Sequence, residues 1–128
     1  MQFEEAAEAA DEATMRSMLA ADPGLRDRHA DLVTRMAEAR NWSTVRLLIG
    51  FGFGVNGVTA TGATALHYAA AYGELSIARL LVEHGADHTA REPGFNAQPA
   101  GWAQYFKKLE IQKYLESLAS CRAARSTG

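Results

Sequence analysis

The fold of this 128-residue chain is decided by Thr64-Ala65-Leu66-His67-Tyr68-Ala69-Ala70-Ala71-Tyr72-Gly73. From Ala65 to Tyr72 the residues are apolar at helical spacing, and Gly73 ends the run. The apolar residues between Leu75 and Leu81 predict a second, amphipathic helix, which Gly85 closes as a C-terminal cap. The sequence therefore predicts two short helices joined at Gly73.

The same pattern of residues recurs along the chain. Leu80-Leu81 stands 33 residues after Leu47-Leu48, and Trp102-Ala103 stands 34 residues after Tyr68-Ala69. Two helices of this length cannot bury their apolar faces alone, whereas a stack of such pairs can. The repetition predicts an all-α solenoid of about four helix-turn-helix repeats.

We expect eight short helices, with a turn at Asp22-Pro23-Gly24 between the first and second units. The repeat domain is expected to span residues 1–118, with residues 119–128 as a flexible tail. The predicted helices are Phe3–Ala10, Ala13–Ala20, Asp31–Arg40, Ser43–Ile49, Ala65–Tyr72, Leu75–His84, Pro99–Phe106 and Leu109–Leu118.

The central stretch resembles the Thr-Pro-Leu-His-x-Ala-Ala signature of the ankyrin repeat family, with Ala65 in place of proline. Gly85-Ala86-Asp87 completes the pattern. The flanking units depart from it, with Arg40 and Lys107 where a glycine is expected, as is typical of terminal capping repeats. The resemblance implies short β-turn fingers between helix pairs. A composition rich in alanine, arginine and glycine suggests a bacterial source.

The resemblance also implies a protein-binding module that holds its partner on a concave face of inner helices and fingers. Tyr72, Tyr105 and Phe106 are expected side by side near Trp102, and exposed aromatic side chains dominate binding hot spots. The alternative is that Tyr105 or Phe106 packs into the last inter-repeat core. The family's contact positions correspond here to Ala60, Thr61, Ala63, Ala71, Tyr72, His84, Tyr105 and Phe106, with Ala97 in the last unit and Glu38, Ala39 and Phe51 in the second.

Composition gives no argument for a nucleic-acid or membrane partner. The formal net charge is −2, no apolar stretch approaches the length of a membrane span, and the acidic start lacks the profile of a secretion signal. The single cysteine, Cys121, cannot form an internal disulfide. We expect a cytoplasmic protein with an unidentified protein partner, no cofactor, and a monomeric or weakly homodimeric state. Self-association through the aromatic face is a further possibility.

Three patterns suggest chemistry, and each has a simpler explanation. The loop Gly52-Phe53-Gly54-Val55-Asn56-Gly57 matches a phosphate-binding pattern, but it follows a helix and not a strand, which favours a plain loop. The family signature implies that His67 hydrogen-bonds between neighbouring loops. His84, Asp87 and His88 cross a turn and lack the spacing of a zinc site, so no metal is expected.

The alternative function is a small hydrolase with its active site in the groove of the repeat scaffold. It would use His84, Glu74 or Glu110 as acid or base, with Tyr72 and Tyr105 forming the substrate wall. The sequence contains no nucleophile elbow and no pair of carboxylates that stands out. A non-enzymatic binding module is therefore the leading prediction.

Overall fold

The computed structural model describes residues 3–59 and 61–127, with side chains described as far as Leu118. This part of the chain forms nine helices: α1 (Phe3–Glu8), α2 (Glu12–Ala21), α3 (Leu25–Arg28), α4 (Leu32–Glu38), α5 (Trp42–Gly50), α6 (Ala65–Tyr72), α7 (Leu75–Glu83), α8 (Pro99–Tyr105) and α9 (Leu109–Thr127). All eight predicted helices are present, although α9 continues nine residues beyond its predicted end at Leu118.

The ninth helix, α3, is a single turn where only a loop was predicted. The Asp22 carboxylate accepts a hydrogen bond from the Gly24 amide at 3.2 Å and orients the start of the turn. The Arg26 guanidinium then donates to the Phe51 carbonyl at 2.5 Å, at the end of α5. Because this anchor comes from a distant part of the chain, local sequence gave no signal for it.

The helices form four stacked pairs, α1–α2, α4–α5, α6–α7 and α8–α9. In the inner row, α4 packs on α6 and α6 on α8; in the outer row, α5 packs on α7 and α7 on α9. A continuous core runs through the stack and includes Leu32, Leu48, Leu66, Leu81 and Ile111. The prediction of an all-α solenoid of about four repeats is confirmed.

Two loops between the pairs form short fingers. One is closed by an antiparallel bridge between Val58 and Thr64, and the other by a bridge between Glu92 and Ala97. The fingers touch, because Gly62 lies so close to Pro93 that a Cβ added at Gly62 would stand 2.3 Å from the proline Cδ. A residue without a side chain is therefore required at this contact.

Helix starts follow from identifiable side chains. Thr64 and His67 form a capping box at the start of α6, in which each side chain binds the other residue's backbone N–H. The Asp11 carboxylate caps α2 by accepting from the Thr14 amide at 3.2 Å. Pro99 occupies the first turn of α8, where its missing N–H costs nothing.

The joints between inner and outer helices adopt one conformation in all four units. The joint residue has a left-handed backbone, with φ of 53° at Ala10, 61° at Arg40, 75° at Gly73 and 60° at Lys107. Arg40 and Lys107 thus take the conformation of the glycine that the repeat pattern expects there. Gly52 and Gly85, with φ of 88° and 93°, likewise occupy equivalent positions after the outer helices α5 and α7. This places the glycine-rich loop at Gly52 after a helix, as predicted.

Lys107→Gly is expected to stabilise the protein by roughly 0.5–1 kcal/mol. A left-handed residue other than glycine costs about 1–2 kcal/mol, and the greater freedom of glycine in the unfolded chain offsets part of that gain. Urea unfolding measures the difference. Lys107→Ala is the control, since it removes the side chain and keeps the backbone strain. An equal gain in the alanine variant would assign the effect to the lysine side chain and contradict the prediction.

The first three inner helices, α1, α4 and α6, are each tied to the next unit by a different polar contact. The Glu4 carboxylate of α1 accepts from the Arg35 guanidinium at 2.8 Å. The Thr34 hydroxyl of α4 donates to the Gly57 carbonyl at 2.7 Å, and the His67 ring of α6 bonds to the Ala97 carbonyl at 2.8 Å. These three contacts set the register between successive units.

Candidate functional site

An open apolar depression lies on the last unit. It has a volume of about 500 Å³ and is called the aromatic pocket below. One wall comes from the finger that precedes α8, and the floor comes from α8 itself. Its lining residues are Phe95, Ala97, Gly101, Trp102, Tyr105 and Phe106.

Three of the pocket's aromatic rings, those of Trp102, Tyr105 and Phe106, contact one another, and the pocket stays open to solvent. The Tyr105 and Phe106 rings meet edge to face, with centroids 5.0 Å apart, and Phe106 meets Trp102 at 6.4 Å. Tyr105 is 80% exposed, Phe95 is 84% exposed and Phe106 is 47% exposed. The alternative that Tyr105 fills an inter-repeat core is therefore wrong.

A buried carboxylate holds the finger wall of the pocket. Glu92 accepts hydrogen bonds from the Phe95 amide at 2.8 Å, the Ala97 amide at 3.3 Å and the Trp102 indole N–H at 3.4 Å. Burial acts to raise the pKa of Glu92, but these donors outweigh it and hold the pKa below its usual range. Glu92 thus fixes both the finger and the indole of the pocket floor. This role of Glu92 was not predicted, because a glutamate before Pro-Gly is typical of an exposed turn.

His67 fixes the same wall from the preceding unit. Its Nδ1 accepts from the Thr64 backbone N–H at 3.2 Å, so the ring proton lies on Nε2, which donates to the Ala97 carbonyl at 2.8 Å. The ring also meets Trp102 edge to face at 5.1 Å. The predicted hydrogen bond between neighbouring loops is confirmed, and it reaches the lining of the aromatic pocket.

Tyr72 contacts side chains of the second unit. It is 40% exposed, its ring meets Trp42 at 6.1 Å, and the Arg40 guanidinium lies 5.1 Å above its face. Tyr105 and Phe106 contact each other and line the aromatic pocket, whereas Tyr72 is not among its lining residues. The expected placement of Tyr72 beside Tyr105 and Phe106 stays a prediction.

The remaining predicted contact residues differ in accessibility. Thr61 is exposed, and its hydroxyl lies 3.3 Å from the Tyr68 hydroxyl. His84 is exposed at the end of α7, with its Nδ1 2.9 Å from the Leu80 carbonyl. Ala63 is fully buried and Ala71 nearly so, so neither offers side-chain surface to a partner, which corrects their inclusion. Ala60 lies outside the described residues.

The structure also shows the exposure and contacts of the predicted second-unit residues and of Ala97. Glu38 is exposed and accepts from the Tyr68 hydroxyl at 2.8 Å. Ala39 is exposed, Phe51 is half-buried, and Ala97 lines the aromatic pocket. Of these, Ala97 alone joins the aromatic side chains of the last unit.

The residues named for a hydrolase do not line one pocket. Tyr105 lines the aromatic pocket, whereas Glu110 lines a separate depression of about 180 Å³ with Lys108. His84 and Glu74 line neither. Among the described residues, no three His, Cys, Asp or Glu side chains are grouped so that they could hold a metal ion. In the same part of the chain, no helix has the length and apolarity needed to cross a membrane.

Comparison with known families accounts for most of the chain. A family model described as ankyrin repeats, in three copies, matches residues 3–92, which is more than two thirds of the sequence. The chain belongs to the ankyrin repeat family. Ankyrin repeats are generally protein–protein interaction modules. In this ankyrin-repeat protein the match ends at Glu92, before α8 and α9, yet these helices form a fourth pair with the same left-handed joint at Lys107.

Proposed function

We propose that this ankyrin-repeat protein binds a protein partner through the aromatic pocket. The observation that carries the proposal is a group of four aromatic rings around an open apolar depression of about 500 Å³. None of its six lining residues is charged. Exposed apolar patches of this kind mark interaction surfaces, and tyrosine and tryptophan are enriched among residues that dominate binding energy.

The exposure of the pocket rings supports binding over a role in folding. A side chain that is 80% exposed, as Tyr105 is, contributes little to the stability of the folded chain. The wall behind it is nonetheless rigid, because Glu92 and His67 hold the Ala97 backbone from two sides. A partner therefore meets a surface that needs little ordering when it binds, which favours affinity.

The proposed contact surface also extends to Tyr72, Thr61 and His84, which are exposed. Tyr72 presents its ring beneath Arg40, so this part of the surface is both aromatic and basic. We propose that this binding takes place in the cytoplasm, where the single cysteine of the chain stays reduced. No observation favours the hydrolase, and it is not proposed.

Tyr105→Ala is expected to weaken partner capture at least about tenfold and to change the free energy of unfolding by less than about 0.5 kcal/mol. The measurement is affinity capture from lysate of the source organism, quantified by mass spectrometry, with urea unfolding of the same samples. Val58→Ala is the matched control, since Val58 is a half-exposed apolar residue on the preceding finger.

Capture that is equal for wild type and Tyr105→Ala would show that the aromatic pocket is not the binding surface. Loss of the same partner in Val58→Ala would indicate nonspecific adhesion of apolar surface. If Tyr105→Ala unfolds, Tyr105 contributes to the stability of the core and its role in binding is contradicted.

A further inference from the structure

A buried negative charge lies directly behind the lining of the aromatic pocket. Glu92 is 2% exposed. Its carboxylate accepts hydrogen bonds from the backbone N–H groups of Phe95 and Ala97 and from the indole of Trp102. These three residues all line the pocket. The carboxylate is therefore one hydrogen bond away from half of the six lining residues.

The charge of Glu92 is not neutralised by a cation. In the part of the chain that the structure describes, no lysine or arginine forms an ion pair with it. The neighbouring Arg91 donates to the Asn96 carbonyl at 2.9 Å instead. The charge of Glu92 acts to raise the pKa of His67, but burial outweighs it and lowers that pKa, so the ring is neutral at neutral pH. The donors around Glu92 thus hold the carboxylate ionised without cancelling its charge.

The pocket lining adds to the effect of this charge. The lining is apolar and carries no charge of its own, so it screens Glu92 less than water would. Aromatic rings are negative on their faces, and the Tyr105 and Phe106 rings stand at 85° to each other, whereas Trp102 and Phe106 stand at 62°. The pocket therefore favours a positive group, both through its rings and through the carboxylate behind them.

Arginine is the protein side chain that fits this environment best. Its guanidinium is planar, always charged and more weakly hydrated than a lysine ammonium, so it stacks on aromatic faces at a lower desolvation cost. The chain itself follows this preference, since its cation–π contacts among the described residues all use arginine and none uses a ring of the pocket. These contacts are Arg16 on Phe51, Arg40 on Tyr72 and Arg79 on Tyr114.

We propose that the aromatic pocket takes up an arginine side chain of the protein partner, and that Glu92 supplies the charge that selects it. This proposal rests on the proposed function, because it uses the same pocket, and it names the chemistry that the partner must present. The guanidinium lies against the pocket rings, and the aliphatic part of the arginine packs on the apolar lining.

NMR titration of the ¹⁵N-labelled full chain tests the proposal with four capped peptides, Gly-Xaa-Gly, in which Xaa is arginine, citrulline, lysine or leucine. Citrulline is the matched control, since it has nearly the shape of arginine and no charge. The arginine peptide is expected to shift the indole N–H signal of Trp102 and to leave that of Trp42, which does not line the pocket, unchanged. The citrulline and leucine peptides are each expected to bind at least about fivefold more weakly, and the lysine peptide more weakly than arginine.

Two variants separate the contributions of the charge and the rings. Glu92→Gln removes the charge and keeps an oxygen that can accept hydrogen bonds, and it is expected to weaken the arginine peptide at least about fivefold while leaving the leucine peptide unaffected. Tyr105→Leu keeps the pocket apolar but removes a ring, and it is expected to weaken the arginine peptide by a similar factor of about five. Glu8→Gln makes the same charge change at an exposed residue of α1 and is expected to behave as wild type.

Several results would overturn the arginine proposal. Citrulline or leucine binding as tightly as arginine would show that the pocket does not select charge, and equal binding of lysine would remove the assignment to arginine. Unchanged arginine binding in a folded Glu92→Gln would show that this carboxylate is not the source of selection. If Glu92→Gln does not fold, the comparison of arginine with citrulline on the wild type decides.

The arginine proposal and the proposed function can fail separately. If the arginine peptide shifts no pocket signal while Tyr105→Ala still loses partner capture, the arginine proposal is wrong and the pocket remains the binding surface. If the arginine peptide releases the captured partner from the wild type, both proposals are supported. If the peptide does not bind and Tyr105→Ala captures the partner like wild type, both are wrong.

Discussion

His67→Ala is expected to lower the free energy of unfolding by about 3 kcal/mol. The substitution leaves the buried Thr64 N–H without its acceptor, which costs about 1–3 kcal/mol, and it opens a cavity between α6 and α8. It also removes the bond that ties the sixth helix to the Ala97 carbonyl. Urea unfolding followed by circular dichroism measures the loss. His84→Ala, at an exposed histidine, is the control and is expected to stay within about 0.5 kcal/mol of wild type.

The same residue makes stability depend on pH. Burial lowers the pKa of His67 from its ordinary value of 6.5, although the hydrogen bond to the Ala97 carbonyl partly opposes this effect. Below pH 6.5 the unfolded chain therefore takes up a proton that the folded chain does not, so stability falls as pH falls. The stability that neutral His67 contributes is fully present above pH 6.5. It declines as the pH falls and stops declining below the lowered pKa of His67 in the folded protein. The stability gap between wild type and His67→Ala should narrow as the pH drops below 6.5; a constant gap would contradict this account.

Gly62→Ala is expected to lower the free energy of unfolding by about 3 kcal/mol, for two separable reasons. Gly62 has φ of +83°, where an alanine is strained by about 1–2 kcal/mol. Its Cβ would also stand 2.3 Å from Pro93 Cδ, and relieving such a clash typically costs 1–3 kcal/mol, about as much again. Because the clash pushes the two fingers apart, the Pro93 finger and its aromatic pocket are expected to loosen too. Thermal and urea unfolding measure the total.

Gly85→Ala separates the two contributions. Gly85 has φ of +93° but nothing within 4 Å of an added Cβ, so it carries the backbone strain alone. Its expected cost is about 1–2 kcal/mol. Equal losses at Gly62 and Gly85 would mean that the fingers separate freely and that their contact contributes nothing to the fold.

The repeat architecture could be predicted because its signals are local and recur. Helical spacing of apolar residues and glycines after Tyr72 and His84 locate the helices without knowledge of their neighbours. The left-handed joints at Arg40 and Lys107 were predictable only by comparison with Gly73, since neither residue type favours that conformation. The α3 turn was not predictable, because the Phe51 carbonyl that anchors it lies 25 residues away.

The candidate site was predicted in part. Tyr105 and Phe106 were singled out by their position in the repeat, and both line the aromatic pocket. Phe95 was missed because the loop from Pro93 to Ala97 interrupts the period, so no equivalent position pointed to it. The burial of Glu92 could not be predicted from the sequence either. It depends on the Trp102 indole and on backbone amides that come together only when the finger folds.

The polar contacts of Glu4, Thr34 and His67 with the following units also bear on how the repeats can be rearranged. A carboxylate with a guanidinium, a hydroxyl with a carbonyl and an imidazole with a carbonyl join successive units. No two of these junctions present the same groups, so the units are not interchangeable modules. Excising residues 31–63 would set Glu4 against the third unit, whose facing residue is Tyr68 in place of Arg35. The contact residues between units thus specify the order of the repeats. Moving or deleting one repeat would place side chains that do not match next to each other in an otherwise regular stack.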